Sequence, residues 1–278
     1  MPTHPRLPGA VLICHRHDRL DSVGLAAWLA TSTRLLGIVE ISGDRGRWRR
    51  AVRREWKRSG PLGFADVMAF RLFSWLSHRS GDARWMEQEI ARLQSRYPAR
   101  TQDVPRMVVD DPNSEASRQF IAGCEPDLII ARCKFILSPD IFTLARHGSF
   151  ALHPGICPEY RNAHGCFWAL ANRDLARVGM TLLKIDHGID TGPVLLQAGC
   201  EFDELRESHT RIQYRVVTEN LDRIAETLRA AVNGEAAPVN TSGRRPAAWG
   251  QPRLTAYRRW KRAAVRDRHR CNGLPAVP

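Results

Sequence analysis

Apolar residues fall in short runs through the first two thirds of the chain and at helical spacing towards its end. Ala10 to Cys14 (AVLIC) is the kind of run that a strand buried on both faces needs. Asp21 to Ala30 (DSVGLAAWLA) places apolar and small residues at helical spacing, and Arg34 to Ile41 (RLLGIVEI) is a second strand. Strand, helix, strand opens a doubly wound α/β domain, whose ligands bind beyond the carboxyl ends of the strands. The sheet resumes at Arg106–Val109, and Ser114–Gly123 forms the next helix. Asp127–Ala131, Ser149–Leu152, Met180–Ile185 and Val194–Gln197 are further strands, with a helix at Gly165–Asn172. From Glu201 the pattern changes. Arg211–Val232 reads as one amphipathic helix, Pro238–Gly250 as a turn-rich linker, Leu254–Arg270 as a last basic helix and Gly273–Pro278 as a fraying tail.

Gly43 to Pro98 interrupts this pattern with a basic, tryptophan-rich insertion. WRRAVRREWKR predicts a strongly cationic helix. GPLGFADVMAFRLFSWLSHR follows, with Phe64, Val67, Met68, Phe70, Leu72, Phe73 and Leu76 as an apolar stripe. Such a stripe is usually packing surface; it can cover the sheet, form a lid or bury a homodimer contact. A cationic, aromatic segment over 45–76 also suits contact with a membrane surface. The expected organisation is an α/β domain over 1–200 that carries the 43–98 insertion, then a mostly helical C-terminal extension over 201–278.

A chain of 278 residues with 43% hydrophobic residues supports a proper core. The formal charge of +13 brings polyanionic partners into view. Arginine far outnumbers lysine and is scattered, and no basic-aromatic RNA signature accompanies it, so composition alone accounts for the charge and nucleic acid is not the expected partner. Seven cysteines without a CxxC pair or finger spacing predict reduced thiols and no metal. Without a leader pattern or a long apolar run, the expected location is cytoplasmic.

The loop after the first strand, Cys14-His15-Arg16-His17-Asp18-Arg19, has no glycine until Gly24 and so lacks a backbone phosphate cradle. Its basic side chains either bind an anion or face water. His153 stands one residue past a strand end, before the sharp turn Pro154-Gly155, at the carboxyl edge of the sheet. Asp190 lies in the glycine-flanked loop HGIDTGP. An imidazole and a carboxylate meeting there make a general acid/base pair; the plain alternative is a turn-capping Asp190 and a hydrogen-bonded structural His153.

Three blocks carry a resemblance to a known family: Ile136-Leu137-Ser138-Pro139, Ala151-Leu152-His153-Pro154-Gly155-Ile156-Cys157-Pro158-Glu159-Tyr160-Arg161-Asn162, and Asp186-His187-Gly188-Ile189-Asp190-Thr191-Gly192-Pro193. In order and spacing they resemble the catalytic core of the folate-dependent formyltransferases, closely over about a quarter of the chain and in outline elsewhere. The resemblance implies a Rossmann-like formyltransferase fold and transfer of a formyl group from N10-formyltetrahydrofolate to an amine. It implies that His153, as imidazolium, stabilises the oxyanion and that Asp190 orients it and helps to move the amine proton. It also implies that the pterin is held by the backbone of Phe135, Ile136 and Leu137 and of Ile185, Asp186, His187, Gly188 and Ile189.

One departure from that pattern bears directly on the chemistry. Ala151 stands where the family carries an Asn, on the same strand face as His153. Loss of one oxyanion donor costs about 100- to 1000-fold in rate. Three readings follow: His164 or Asn162 supplies the missing donor, the enzyme is slow but specific, or transfer is lost and binding kept. Asn162 itself stands where the family commonly has Gly, and Asn tolerates a left-handed backbone.

The first loop argues against a glycinamide ribonucleotide substrate, and the helical sequence after Glu201 is unlike the β-barrel of the methionyl-tRNA enzymes. The short stretch before the first strand argues against the regulatory domain of formyltetrahydrofolate hydrolases. A small-molecule amine is the expected acceptor, first an amino sugar on a nucleotide, then an amino-acid or peptide precursor. The alternatives are a formyltetrahydrofolate hydrolase, a degenerate folate- or metabolite-binding protein, and a methionyl-tRNA formyltransferase-like protein without the barrel.

Overall fold

A computed structural model of the chain describes residues 7–43 and 45–271, with side chains from 52 to 270 in the helices that border the gaps. The expected tail at Gly273–Pro278 and the side chains at the start of the cationic helix lie outside the described residues. In chain order the strands are β1 (Gly9–His15), β2 (Arg34–Ile41), β3 (Arg106–Val109), β4 (Leu128–Arg132), β5 (Gly148–His153), β6 (Arg161–Asn162), β7 (Gly179–Lys184), β8 (Val194–Gly199) and β9 (Ala248–Trp249). The helices are α1 (Ala26–Ser32), α2 (Arg45–Arg96), α3 (Glu115–Cys124), α4 (Pro139–Phe142), α5 (Gly165–Ala171), α6 (His209–Thr218), α7 (Leu221–Val232) and α8 (Leu254–Cys271).

Seven strands form one sheet in the order β3-β2-β1-β4-β5-β7-β8. β1 to β5 are parallel, and β7 and β8 add an antiparallel edge. The chain runs outwards from β1 through β2 and β3, then returns to place β4 on the other side of β1. That reversal is the topological switch point of a doubly wound sheet, where open α/β folds take their ligands. Both faces are covered. Leu12, Ile130, Phe150 and Leu152 enter a core shared with α1, α5, α6, α7 and α8, whereas Val11, Ile13, Ile129 and Ala131 pack towards α3 and α4. Burial on both sides is why these strands read as continuous apolar runs.

Three elements differ from the sequence reading. Arg211–Val232 is not one helix: α6 ends at Thr218 and α7 begins at Leu221. Buried Asn220 makes the break, because its amide donates to the carbonyls of Gly199 (2.9 Å) and Val216 (3.0 Å). The linker Pro238–Gly250 is not only turns: β9 within it pairs with β6. The insertion is a helical pair with a sharp kink, since Gly60 takes φ 67° and Pro61 starts the second half. Glycine adopts that left-handed geometry without a Cβ clash, and proline is well placed at a first helical position. The apolar stripe of the insertion splits. Val67 is buried and Phe70 packs against Phe167, His209 and Tyr257, while Met68, Leu72 and Leu76 face outwards.

Candidate active site

The site is built where β5 ends. Alternation along β5 sends Phe150 and Leu152 into the main core and leaves Ser149, Ala151 and His153 on the opposite face. The chain then turns through Pro154 and Gly155. A Cβ on Gly155 would lie 2.6 Å from the Tyr160 carbonyl oxygen and 2.7 Å from His153 Nε2, so this approach requires glycine. Thr181 on β7 fixes the turn: its hydroxyl donates to the Gly155 carbonyl (2.7 Å) and accepts from the Cys157 N–H (3.0 Å).

His153 is buried, and its Nε2 lies 2.8 Å from the Tyr160 carbonyl. A carbonyl only accepts, so Nε2 carries a proton. Nδ1 lies 3.5 Å from Asp190 Oδ2. Asp190 holds a left-handed backbone, φ 52°, and its Oδ2 accepts the Asn162 N–H at 2.7 Å. Asn162 is itself left-handed at φ 73°, the geometry its glycine-like position requires, and its side-chain amide donates to the Trp249 carbonyl at 2.6 Å. The structure therefore brings His153, Asp190 and the Asn162 backbone together.

His164 stands apart from that group. It caps α5 with φ 57°, and its ring lies 6.2 Å from that of His209 on α6. Burial pushes its pKa well below the ordinary imidazole value, and the charges of Lys134 and Arg71 add to the effect, so the ring is neutral near pH 7. Among the described residues, no hydrogen bond joins His164 to His153 or Asp190. Ala151 packs against Cys157, Leu183 and Val194, an apolar surround.

The two segments expected to hold a pterin flank this face. Asn113 pins the first: its amide nitrogen donates to the Ile136 carbonyl (3.0 Å) and its oxygen accepts the Ser138 N–H (2.7 Å). Leu137 is buried beside Phe135, whereas the Ile136 side chain is exposed. The second segment leaves the sheet where the Ile185 N–H donates to the Ser149 carbonyl (2.7 Å). Asp186 Oδ1 accepts from the Gly188 N–H (2.9 Å) and the Thr191 hydroxyl (2.7 Å), which closes the loop tightly. The His187 ring meets Phe142 edge-on at 5.5 Å, Ile185 joins the cluster of Leu137, and Ile189 is exposed. Exposed Ile136 and Ile189 thus stand on two rigid loops beside the His153 face, a setting that fits a flat, partly apolar ring system.

The loop after β1 uses its basic residues internally. His15 Nε2 accepts the Lys134 N–H at 3.1 Å, Arg16 is 3.9 Å from Glu40, and Arg19 pairs with Glu87. Beneath it, Asp21 sits in a π-helical turn, Leu20–Leu25, 3.5 Å from buried Arg132. Burial raises the Asp21 carboxyl well above the usual range despite Arg132, and Asp18 adds to the rise. Arg132 also donates to the Leu152 carbonyl at 3.0 Å, the residue before His153. Among the described residues, no group of three or more His, Cys, Asp or Glu side chains is placed to hold a metal ion.

Sequence reasoning missed the segment that braces the turn at residues 159–162. The Trp249 ring stacks on Tyr160 (5.8 Å) and Trp168 (4.9 Å), and its Nε1 donates to the Glu159 carbonyl (2.8 Å). Arg244 holds the Glu159 carboxylate from the same segment. The signal was a tryptophan inside a stretch otherwise rich in turn residues. Asn113 and Thr181 carried no signal, because both act through backbone contacts distant in sequence.

The chain has relatives among known proteins in sequence and in structure. Residues 91–228 match the family model described as formyl transferase. A methionyl-tRNA formyltransferase of Chlorobium chlorochromatii (strain CaD3) is 32% identical over 142 residues, which are 50% of this chain and 45% of that protein. One from Anaeromyxobacter dehalogenans (strain 2CP-C) is 36% identical over 115 residues, 41% of this chain and 36% of that protein. The chain thus spans less than half the length of these curated relatives. Among solved structures, a phosphoribosylglycinamide formyltransferase from Anaplasma phagocytophilum aligns over 89% of this chain and all of its own, with 13% identity and a TM-score of 0.52. A sugar N-formyltransferase from Shewanella sp FDAARGOS_354 aligns over 87% of this chain and 76% of its own, with 12% identity and a TM-score of 0.51. At such identities the structural likeness establishes the fold.

Proposed function

Residues 91–228 belong to the formyl transferase family, and from that premise we propose that the chain transfers a formyl group to the amine of a small molecule. When bound, N10-formyltetrahydrofolate supplies the formyl group, and Phe135–Leu137 with Ile185–Ile189 are the residues that would hold it. The observation that carries the reading is the 3.5 Å approach of Asp190 Oδ2 to His153 Nδ1, with Asp190 fixed by the Asn162 N–H.

Each residue has a task that follows from this arrangement. Attack of an amine nitrogen on a formyl carbon puts negative charge on the formyl oxygen. His153, protonated on Nδ1, donates to that oxygen; hydrogen bonds of this kind are often long without substrate and tighten in the complex. Asp190 balances the imidazolium charge and accepts the proton released by the amine, directly or through water; the bond from the formyl carbon to the donor nitrogen would then break, with that nitrogen leaving with the proton held by Asp190. Asn162 acts through its backbone by holding Asp190. With Ala151 in place of a second donor, His153 is the principal oxyanion donor, which lowers the rate without removing the chemistry.

A nucleotide-linked amino sugar is the preferred acceptor, and an amino-acid-derived precursor is the next. Methionyl-tRNA is a second reading, favoured by the sequence match to methionyl-tRNA formyltransferases. Calorimetry with 5-formyltetrahydrofolate, an unreactive donor analogue, tests the premise. One binding site is expected, and no heat at high micromolar ligand would remove the folate reading.

A further inference from the structure

The outward face of α2 after the Gly60 kink is exposed among the described residues. After the Gly60 kink, Met68, Leu72, Trp75, Leu76 and Arg79 recur at helical spacing along one stripe, opposite the buried Val67 and Phe70. Leu62 is 88% exposed, Leu72 60%, Trp75 55% and Leu76 68%. The charges around the stripe are one-sided. Arg53, Arg54, Lys57, Arg79 and Arg84 are exposed, whereas the described acids of the same stretch, Glu55, Asp66 and Asp82, are partly buried. Asp66 accepts from Thr255, and Asp82 from Ser208 and Arg211. The exposed positions from Arg53 to Arg84 are therefore apolar, small or basic.

We propose that this face docks the protein on an anionic membrane surface. Large apolar side chains beside a basic border are the composition of a helix lying in the lipid headgroup region. A second copy of the chain would set two cationic faces against each other, and the aliphatic stripe has no complement on RNA. No helix among the described residues is long and apolar enough to cross a membrane, so the contact lies along the surface. The same helix reaches the candidate site: Arg58 donates to the carbonyls of Ala248 and Trp249, and Arg71 to Gln251. Docking through α2 would hold that edge of the fold close to the lipid surface.

The test is co-sedimentation of the full chain with vesicles of phosphatidylcholine alone and of phosphatidylcholine with phosphatidylglycerol. Binding is expected only with the anionic lipid and should weaken with salt, because each basic residue near such a surface contributes roughly fivefold to partitioning. Leu72→Ser with Leu76→Ser should reduce binding at least about tenfold with an unchanged thermal midpoint. Arg79→Glu with Arg84→Glu should do the same by charge and serves as the check if the first pair perturbs folding. Equal binding to both vesicle types, no binding at low salt, or full binding by both double variants would overturn the proposal. So would a concentration-dependent dimer, or an RNA complex, that Leu72→Ser with Leu76→Ser abolishes while vesicle binding stays intact.

Discussion

Asp190 Oδ2 lies 3.5 Å from His153 Nδ1, although the strand leading to Asp190 runs against the strand that ends in His153. β7 finishes beside Phe150, so the following loop starts half a strand below the imidazole. It returns along the face of Ser149, Ala151 and His153, closed by Asp186 and Thr191 and anchored at its tip by Asn162. The position of the carboxylate is thus imposed by the loop.

Asp190→Asn keeps the shape and removes the charge. Turnover should fall at least about 100-fold, the scale of a general acid/base group, while affinity for 5-formyltetrahydrofolate changes little. Steady-state rates with calorimetry on the same variant check this. A rate near that of the unsubstituted chain would make Asp190 a structural residue.

Asn162→Gly separates backbone from side chain. Glycine keeps the N–H that holds Asp190 and accepts the left-handed φ, so turnover should stay within about threefold. A loss of about 100-fold would instead make the Asn162 amide an oxyanion donor. His164→Ala, measured alongside, should be equally mild, because that ring faces His209.

Ala151→Asn adds a donor beside His153 among Cys157, Leu183 and Val194. A partly buried amide in an apolar surround costs about 1–2 kcal/mol, so the thermal midpoint should drop by a few degrees. Turnover should rise about tenfold or more as the oxyanion gains a second hydrogen bond. A fall in rate with unchanged folate affinity would mean that the pocket has closed around alanine.

His209 links stability to pH. It is buried against Phe70 and Phe167, and burial pushes its pKa down to about 3. The unfolded chain takes up this proton below about pH 6.5 and the folded chain does not. Stability is therefore full above that value and lost progressively as pH falls towards 3, by a few kcal/mol. His209→Leu should flatten that part of the urea-denaturation profile recorded against pH. An unchanged slope would place the titration elsewhere.

The sheet was legible because its central strands are buried on both faces and its helices begin at ordinary boundaries, as at Ser114, whose hydroxyl accepts the Ser117 N–H. His153 and Asp190 were picked out through the sequence blocks that resemble the formyltransferases, since the sharp turn and the glycine-flanked loop alone left a structural reading open. Other features depend on contacts between distant segments. Asn220 breaks α6 from α7 by bonding to Gly199, and Trp249 braces the turn beside the site by stacking on Tyr160 and Trp168. Nothing local in Asn220 or Trp249 specifies a partner far away in the chain, so periodicity ran through the first and composition called the second a linker. The Nε2 contact of His153 was hidden likewise, because its acceptor is a backbone carbonyl.

The most direct measurement is the rate at which 10-formyltetrahydrofolate is converted to tetrahydrofolate, with and without acceptor amines. The panel should hold nucleotide-linked amino sugars, amino-acid precursors and methionyl-tRNA. Conversion that requires one of these amines, yields its N-formyl product and falls at least about 100-fold in Asp190→Asn is the predicted result. Conversion at the same rate without any amine, or folate binding with no conversion across the panel, would contradict it.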